Sequence, residues 1–183
     1  DANIINATRD NIVIKSSFET KQFNVGAIAN QQTIGRLTAK GEATYDFLTN
    51  NTLFDIKADA FEINNYHYHN IGLVGSYQNK ILQTKLDIAD SNLTTDLTAM
   101  VDLRYQPYHY KIYGSVPYFD SKQLRISDHA LSGSGELNLD LKGKNIDDII
   151  GNIIVYNVKL NIDSTPLAFN QLYLNKTIDQ AGD

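Results

Sequence analysis

Cysteine and tryptophan are absent from this sequence, methionine occurs once and proline three times. Without cysteine there is no disulfide, no thiolate metal site and no cysteine nucleophile. The compartment stays open, because large bacterial envelope domains often lack cysteine. No apolar run approaches the ~18 residues of a membrane-spanning helix. The sixteen Lys and Arg are scattered singly along a chain of net charge −5. That pattern argues against a nucleic-acid partner and against polybasic attraction to an anionic membrane. Long amphipathic helices are missing too, so nothing would cover the faces of a parallel sheet. The chain begins Asp1-Ala2-Asn3 without initiator Met, basic segment or apolar segment, and is read as an excised or processed piece.

What is present is alternation. The stretch from Tyr66 to Leu103 reads as three strands joined by turns at Gln78-Asn79-Lys80 and Asp90-Ser91-Asn92. In the second, Leu82, Thr84, Leu86 and Ile88 share a face opposite Gln83, Lys85 and Asp87. In the third, Leu93, Thr95, Leu97, Ala99 and Val101 oppose Thr94, Asp96, Thr98 and Asp102. Period-two alternation of this kind specifies a sheet with one apolar and one wet face.

The same pattern extends both ways. Ile12 to Phe18 and Ile34 to Phe47 read as strands, with a helical turn or loop between Ala27 and Gln32. Leu53 to Ile63 is a strand whose phase changes near Ala60, which predicts a bulge there. Asn50-Asn51 and Asn64-Asn65 are turn signals. Tyr108 to Val116 is a strand that Pro117 ends or places at an edge. Leu124 and Ile126 suggest a short strand, and Leu131 to Gly143 a long one. Asn145 to Ile150 is the best helix, with Asn145 as N-cap and Gly151 as its stop. Ile154, Tyr156, Val158, Leu160 and Ile162 read as one face of a strand, and Leu167 to Leu174 as the last strand. The expectation is an all-β, antiparallel meander of about a dozen strands with one or two very short helices. It forms one segment over residues 1–183. A faint echo of Gly35-Arg36-Leu37 in Gly135-Glu136-Leu137 suggests two repeats, about 10–110 and 111–175. Whether the sheet seals into a sandwich or curls as an open groove is left undecided by alternation alone. Several in-phase positions are small (Ala39, Ala43, Ala58, Ala99), which fill a two-sheet core poorly and leave room along a trough.

Few residues suggest chemistry. His67 and His69, two apart on a strand, share a face and are zinc-ligand types. A third ligand would have to come from a neighbouring strand, through Asp87 or Asp96. A wet-face pair is the simpler reading, and no metal or other cofactor is expected. Ser127-Asp128-His129 has triad residue types, but adjacent loop residues cannot line up as nucleophile, base and orienter. No acid, base and nucleophile set assembles, so an enzyme is not expected. The aromatic run Tyr105, Tyr108, Tyr110, Tyr113, Tyr118 and Phe119 supports an alternative, a sugar-binding or adhesin-like surface. A third reading is a scaffold that offers strand edges to barrel proteins.

Three phrases carry a family resemblance. They are Phe23-Asn24-Val25-Gly26 followed by Ile34-Gly35-Arg36-Leu37; Asn65-Tyr66-His67-Tyr68-His69-Asn70-Ile71-Gly72-Leu73-Val74-Gly75; and Gly143-Lys144-Asn145-Ile146-Asp147-Asp148-Ile149-Ile150-Gly151. In order and spacing the chain resembles the periplasmic repeat region of the TamB family, among the AsmA-like bridge-like lipid transfer proteins. The family's N-terminal anchor and C-terminal domain have no counterpart here. The resemblance implies a curled, taco-like β-groove in the periplasm of a Gram-negative bacterium, within an inner-membrane-anchored protein. It implies transport of phospholipid between the two membranes, assistance to outer-membrane protein assembly, or both. Its partners would be phospholipid acyl chains and, through the missing C-terminal region, an outer-membrane barrel of the TamA/BamA type. The groove would then be lined by the in-phase residues Leu37, Ala39, Tyr45, Phe54, Ile56, Ala58, Leu86, Ile88, Leu97, Val101, Ile112, Val116, Leu137, Leu139 and Leu141.

Overall fold

The computed structural model describes residues 2–7, 12–144 and 148–177. Eleven strands form one antiparallel sheet whose spatial order is the chain order, so it is a pure meander. They are β1 (Ala2–Ala7), β2 (Ile12–Asn24), β3 (Ile34–Asp46), β4 (Asn51–Ile63), β5 (Tyr66–Gln78), β6 (Ile81–Ala89), β7 (Leu93–Asp102), β8 (Tyr108–Asp120), β9 (Leu131–Gly143), β10 (Ile150–Ile162) and β11 (Thr165–Lys176). The single helix among the described residues, α1 (Val25–Ala29), joins β2 to β3. Asn24 caps it by accepting the Ala27 N–H at 3.0 Å, and Asn30 closes it in the left-handed region.

The turns explain the meander. Asn64-Asn65, Asn79-Lys80 and Asp163-Ser164 each place two successive residues at positive φ. That is the geometry a two-residue hairpin loop requires if it is to match the twist of its strands. Asn and Asp reach this region at less cost than most residues, which is why these dipeptides turn the chain.

The sheet is open. Strands pack substantially only on their neighbours in the order, and β1 does not pair with β11. The accessible surface is 12,485 Å². A compact protein of 20.5 kDa exposes roughly 8,800 Å². The excess is that of a single layer with no second sheet over its apolar face, so the sandwich is excluded.

Five details depart from the sequence reading. β1 carries no strong alternation and is not foreseen. Leu124 and Ile126 lie in a turn-rich loop, not a strand, because the Asp120 carboxylate accepts the N–H groups of Lys122 and Gln123 at 3.1 and 3.0 Å and curls the chain. Leu124 is the most buried large side chain, 1% exposed. Pro117 neither ends β8 nor sits at an edge; it lies inside β8 at a register shift between Val116 and Phe119, where no ladder N–H is needed. Of the expected helix, residues 145–147 lie outside the described residues, whereas Ile150 and Gly151 open β10, with Gly151 opposite Leu141. Finally, Ile154 and Tyr156 do not share a face with Val158, Leu160 and Ile162. Asn157, at φ 49°, shifts the phase between them. The bulge expected near Ala60 is present, as a register shift of β4 against β3 between the partners of Thr38 and Ala39.

Candidate functional site

Most irregularities of this sheet fall on one line; the exceptions are the shifts at Ile4/Asn6 between β1 and β2 and at Ile34/Leu37 between β3 and β4. Register shifts occur at Thr20/Phe23 between β2 and β3, and at Thr38/Ala39 between β3 and β4. Others occur at Thr94/Asp96 between β7 and β8, at Val116/Phe119 between β8 and β9, and at Tyr156/Lys159 between β9 and β10. Between β4 and β5 the ladder skips Asp59 and Asn70; between β10 and β11 it skips Asn157 and Asn170. A bulge bends its strand and increases the local twist. A row of them running across the strands creases the whole sheet.

One row of inward side chains marks the crease. Reading across the register, it runs Thr20, Ala39, Ala58, Ile71, Ile88 and Thr95, then Val116, Gly135, Val158 and Phe169. Ala39, Ala58, Thr95 and Val158 are only 3–7% exposed, and among the described residues no other non-glycine strand residue is buried. The row is the floor of a trough. With ~4.8 Å between strands, the ten strands from β2 to β11 that carry this row give it a length of about 43 Å.

Two walls rise from this floor. The longer carries Phe54 and Ile56 on β4, Leu82 and Leu86 on β6, Leu97 and Val101 on β7, Leu137 to Leu141 on β9, and their in-register neighbours. The shorter carries Leu37, Phe61, Ile63, Tyr66 and Tyr68. Tyr66 and Tyr68 join the inner face because Asn70, at φ 53°, shifts the phase of β5. None of the inner positions from β2 to β10 carries a charged residue. Several inner side chains stay 41–50% exposed, among them Phe18, Phe23, Tyr77 and Leu172. On the longer wall two rings lie flat against the sheet, Phe18 over Gly41 and Phe54 over Gly75. A Cβ on either glycine would stand under 3.0 Å from the ring.

The outer face is the opposite in character. Lys85 bridges Asp87 and Asp96 at 3.4 and 3.3 Å, Lys15 pairs with Glu42, and Asp140 receives both His109 at 2.6 Å and Lys111 at 3.5 Å. Hydrogen bonding and charge from His109 hold the Asp140 carboxyl below the usual carboxylate range. At the β7–β8 turn the Arg104 guanidinium and backbone N–H pull Asp102 down to about 2. These exposed pairs contribute little stability each, but they fix which face is wet.

All fifteen residues expected to line a groove lie on the inner face. Ala39, Ala58, Ile88 and Val116 belong to the floor, Leu37 to the shorter wall and the rest to the longer. Sequence reasoning missed Phe61, Ile63, Tyr66, Tyr68, Ile153 and Val155, which belong with them. The signal was an Asn between two apolar runs of opposite phase: Tyr66, Tyr68, then Asn70, then Ile71, Leu73; and Ile153, Val155, then Asn157, then Val158, Leu160.

The other candidates separate. His67 and His69 are exposed, pointing away from Tyr66 and Tyr68, and Asp87 and Asp96 are held by Lys85. No group of three or more ligand-type side chains that could hold a metal ion occurs among the described residues. The Ser127 hydroxyl accepts the His129 N–H at 3.1 Å, a turn contact rather than a triad. The aromatic run is split: Tyr110 and Phe119 face inward, Tyr113 faces outward and is 54% exposed, and Tyr105 stands on a turn. It forms no continuous stacking platform. Among the described residues no helix is long and apolar enough to cross a membrane.

One polar cluster stands at the end of the short β6–β7 hairpin. The buried Asp90 carboxylate accepts Tyr66 Oη–H at 2.5 Å and the N–H groups of His69 and Asn92 at 3.0 and 2.8 Å. Burial first, and the Asp90 bond second, raise the Tyr66 phenol above its ordinary pKa. The cluster ties the Tyr66–His69 edge of β5, which extends beyond the last residue of β6, to the hairpin end.

No protein-family model, no curated protein and no solved structure matches the chain.

Proposed function

We propose that this chain is a non-enzymatic, periplasmic segment of a TamB/AsmA-like protein whose trough conducts phospholipids between the inner and outer membranes. Assistance to outer-membrane protein assembly is the second role that fits the same surface. The observation that carries the reading is a continuous, uncovered apolar trough about 43 Å long, free of charged residues at its inner positions from β2 to β10. A sealed core would need a second layer; acyl chains supply one. Their contact with the wall is non-directional, worth about 25 cal/mol per Å² of apolar surface removed from water. That permits sliding along the floor, because no inner position from β2 to β10 carries a charge that would hold a lipid in place. Small floor residues keep the crease open, while leucines and aromatics on the walls provide area. The protein belongs in this reading to an inner-membrane-anchored chain that hands lipid on to a partner of the outer-membrane barrel type.

Native mass spectrometry of protein released without detergent from a Gram-negative host tests it. The expected spectrum contains the chain with bound phospholipid. A spectrum of lipid-free chain alone contradicts the reading.

A further inference from the structure

We infer that the outer face of the sheet carries a binding site for an uncharged oligosaccharide, between Tyr113 on β8 and Tyr156 on β10. A depression of about 440 Å³ lies there. That is within the range of pockets that hold small organic ligands. It reaches from Asp96 and Thr98 on β7, across β8 and β9, to Tyr156. In register, Tyr113 stands beside Asn138, and Tyr156 beside Glu136, two residues away on β9. Two strand spacings and two residues place their Cα atoms about 12 Å apart. That span suits a short chain of sugar rings rather than a single ring. Gly114 forms part of the base; at φ 146° a Cβ there would collide with the Asp96 carbonyl oxygen, so no side chain stands at this position.

The chemistry of the lining selects the ligand. Exposed Tyr113 and half-buried Tyr156 each offer an apolar ring with a polar tip. A sugar ring carries C–H groups on its face, which stack on such rings, and hydroxyls round its edge, which need donors and acceptors. Among the described residues, the side chains of Tyr113, Ser115, Asn138 and Tyr156 hydrogen-bond to no other protein group, so all four can serve a ligand. The groups round them are committed: Asp96 to Lys85 at 3.3 Å, Glu136 to Asn157 at 3.0 Å, and Asp140 to His109 and Lys111. A held rim round an uncommitted centre lowers the ordering cost of binding. The lining contains Asp96 and Glu136 but no Lys, Arg or His, which disfavours phosphates, nucleic acids and acidic sugars. A larger depression on the same face, between β2 and β4, is lined by Lys40, Lys57, Glu42 and Asp55 among others and holds no tyrosine. The aromatic run of the sequence hides the site, because Tyr156 comes from a strand outside that run while Tyr110 and Phe119 face inward. The site lies on the face opposite the trough and stands whatever occupies the trough.

Isothermal titration calorimetry of the whole chain tests it, with neutral tetrasaccharides of β-linked glucose, α-linked glucose and β-linked N-acetylglucosamine as probes. The expected result is saturable binding of at least one of them, with saturation-transfer NMR placing the contact on ring C–H groups. Tyr113→Ala and Tyr156→Ala should each weaken that binding about tenfold, with an unchanged circular-dichroism spectrum. Tyr113→Phe keeps the ring and should keep most of the affinity. Tyr105→Ala, at a 79% exposed turn tyrosine outside the depression, should change nothing. Binding of none of the three sugars, binding that survives both alanine variants, or an equal loss in Tyr105→Ala would each overturn the proposal.

Discussion

Leu86→Glu combined with Leu97→Glu is expected to strip bound phospholipid from the chain and leave the sheet folded. The two side chains are direct cross-strand neighbours on the longer wall of the trough, and both are half-buried. Two effects then separate. In the empty trough water reaches both carboxylates, so the cost to folding is modest: lost leucine packing of about 1–2 kcal/mol and repulsion of a few tenths to 1 kcal/mol between paired like charges. With an acyl chain in place the same carboxylates must lose their water, which costs several kcal/mol per charge. Lipid affinity should therefore fall by about a hundredfold or more, since each 1.4 kcal/mol is a factor of ten. Thr98→Glu is the control: Thr98 is opposite Lys85 on the outer face, and lipid should stay bound. If the double variant unfolds, or if it keeps its lipid, Leu86 and Leu97 are core residues rather than trough wall.

The second large effect is on stability. Asp90→Ala is expected to cost about 3–5 kcal/mol, because it removes the acceptor of three hydrogen bonds at a buried site. Bonds to a charged acceptor contribute about 1.5–3 kcal/mol each, offset by the desolvation of the carboxylate itself. The variant also leaves the His69 N–H and Tyr66 Oη short of their partner where the β6–β7 hairpin meets the shorter wall. At 2–4 °C per kcal/mol for a chain of this size, the melting temperature should fall by roughly 10 °C. A pH signature goes with it. Tyr66 has a raised folded pKa, so its contribution is complete below the ordinary value of 10 and is lost as pH rises through the folded value. Ultraviolet titration should show the late-ionising Tyr66 move toward the ordinary range in Asp90→Ala, and Tyr68, raised first by burial and then by the charges of Tyr66 and Asp90, move less. Burial, the larger cause, keeps part of the shift. A change in melting temperature of less than a degree would show that the cluster does not hold the hairpin end.

The register of most of this sheet was legible because alternation is a local property. Leu37–Tyr45, Ile81–Ala89 and Leu93–Asp102 each keep one apolar phase long enough to be read directly, and they lie in β3, β6 and β7. What alternation cannot supply is the sense of the bend. A run such as Ile154, Tyr156, Val158, Leu160 looks in phase by count, yet the left-handed Asn157 rotates the two halves apart. The true inner set, Ile153, Val155, Val158 and Leu160, reads as a break. The same holds at Asn70, which brings Tyr66 and Tyr68 onto the inner face out of count with Ile71 and Leu73. Because most of the bulges lie in one row, each hidden phase shift there also conceals part of the crease, so the floor and the shorter wall are the least readable parts of the site. The loop from Ser121 to Ala130 failed for another reason. The Leu124 and Ile126 spacing mimics a strand, while Asp120 and Arg125, the latter at φ 58°, impose turns. One longer-range echo does appear: the ladder irregularity at Asp59/Asn70 recurs at Asn157/Asn170, about one hundred residues further on.

The central claim is that one face of this sheet meets lipid and the other meets water. Photo-crosslinking in intact Gram-negative cells tests it most directly, with a photoreactive phenylalanine placed in turn at neighbouring positions of opposite face. Ile56 and Leu97 point into the trough; Lys57 and Thr98 point out of it. After irradiation, mass spectrometry of the purified chain should find phospholipid covalently attached at positions 56 and 97 and none at 57 and 98. Attachment at all four positions alike, or at none, would contradict the account.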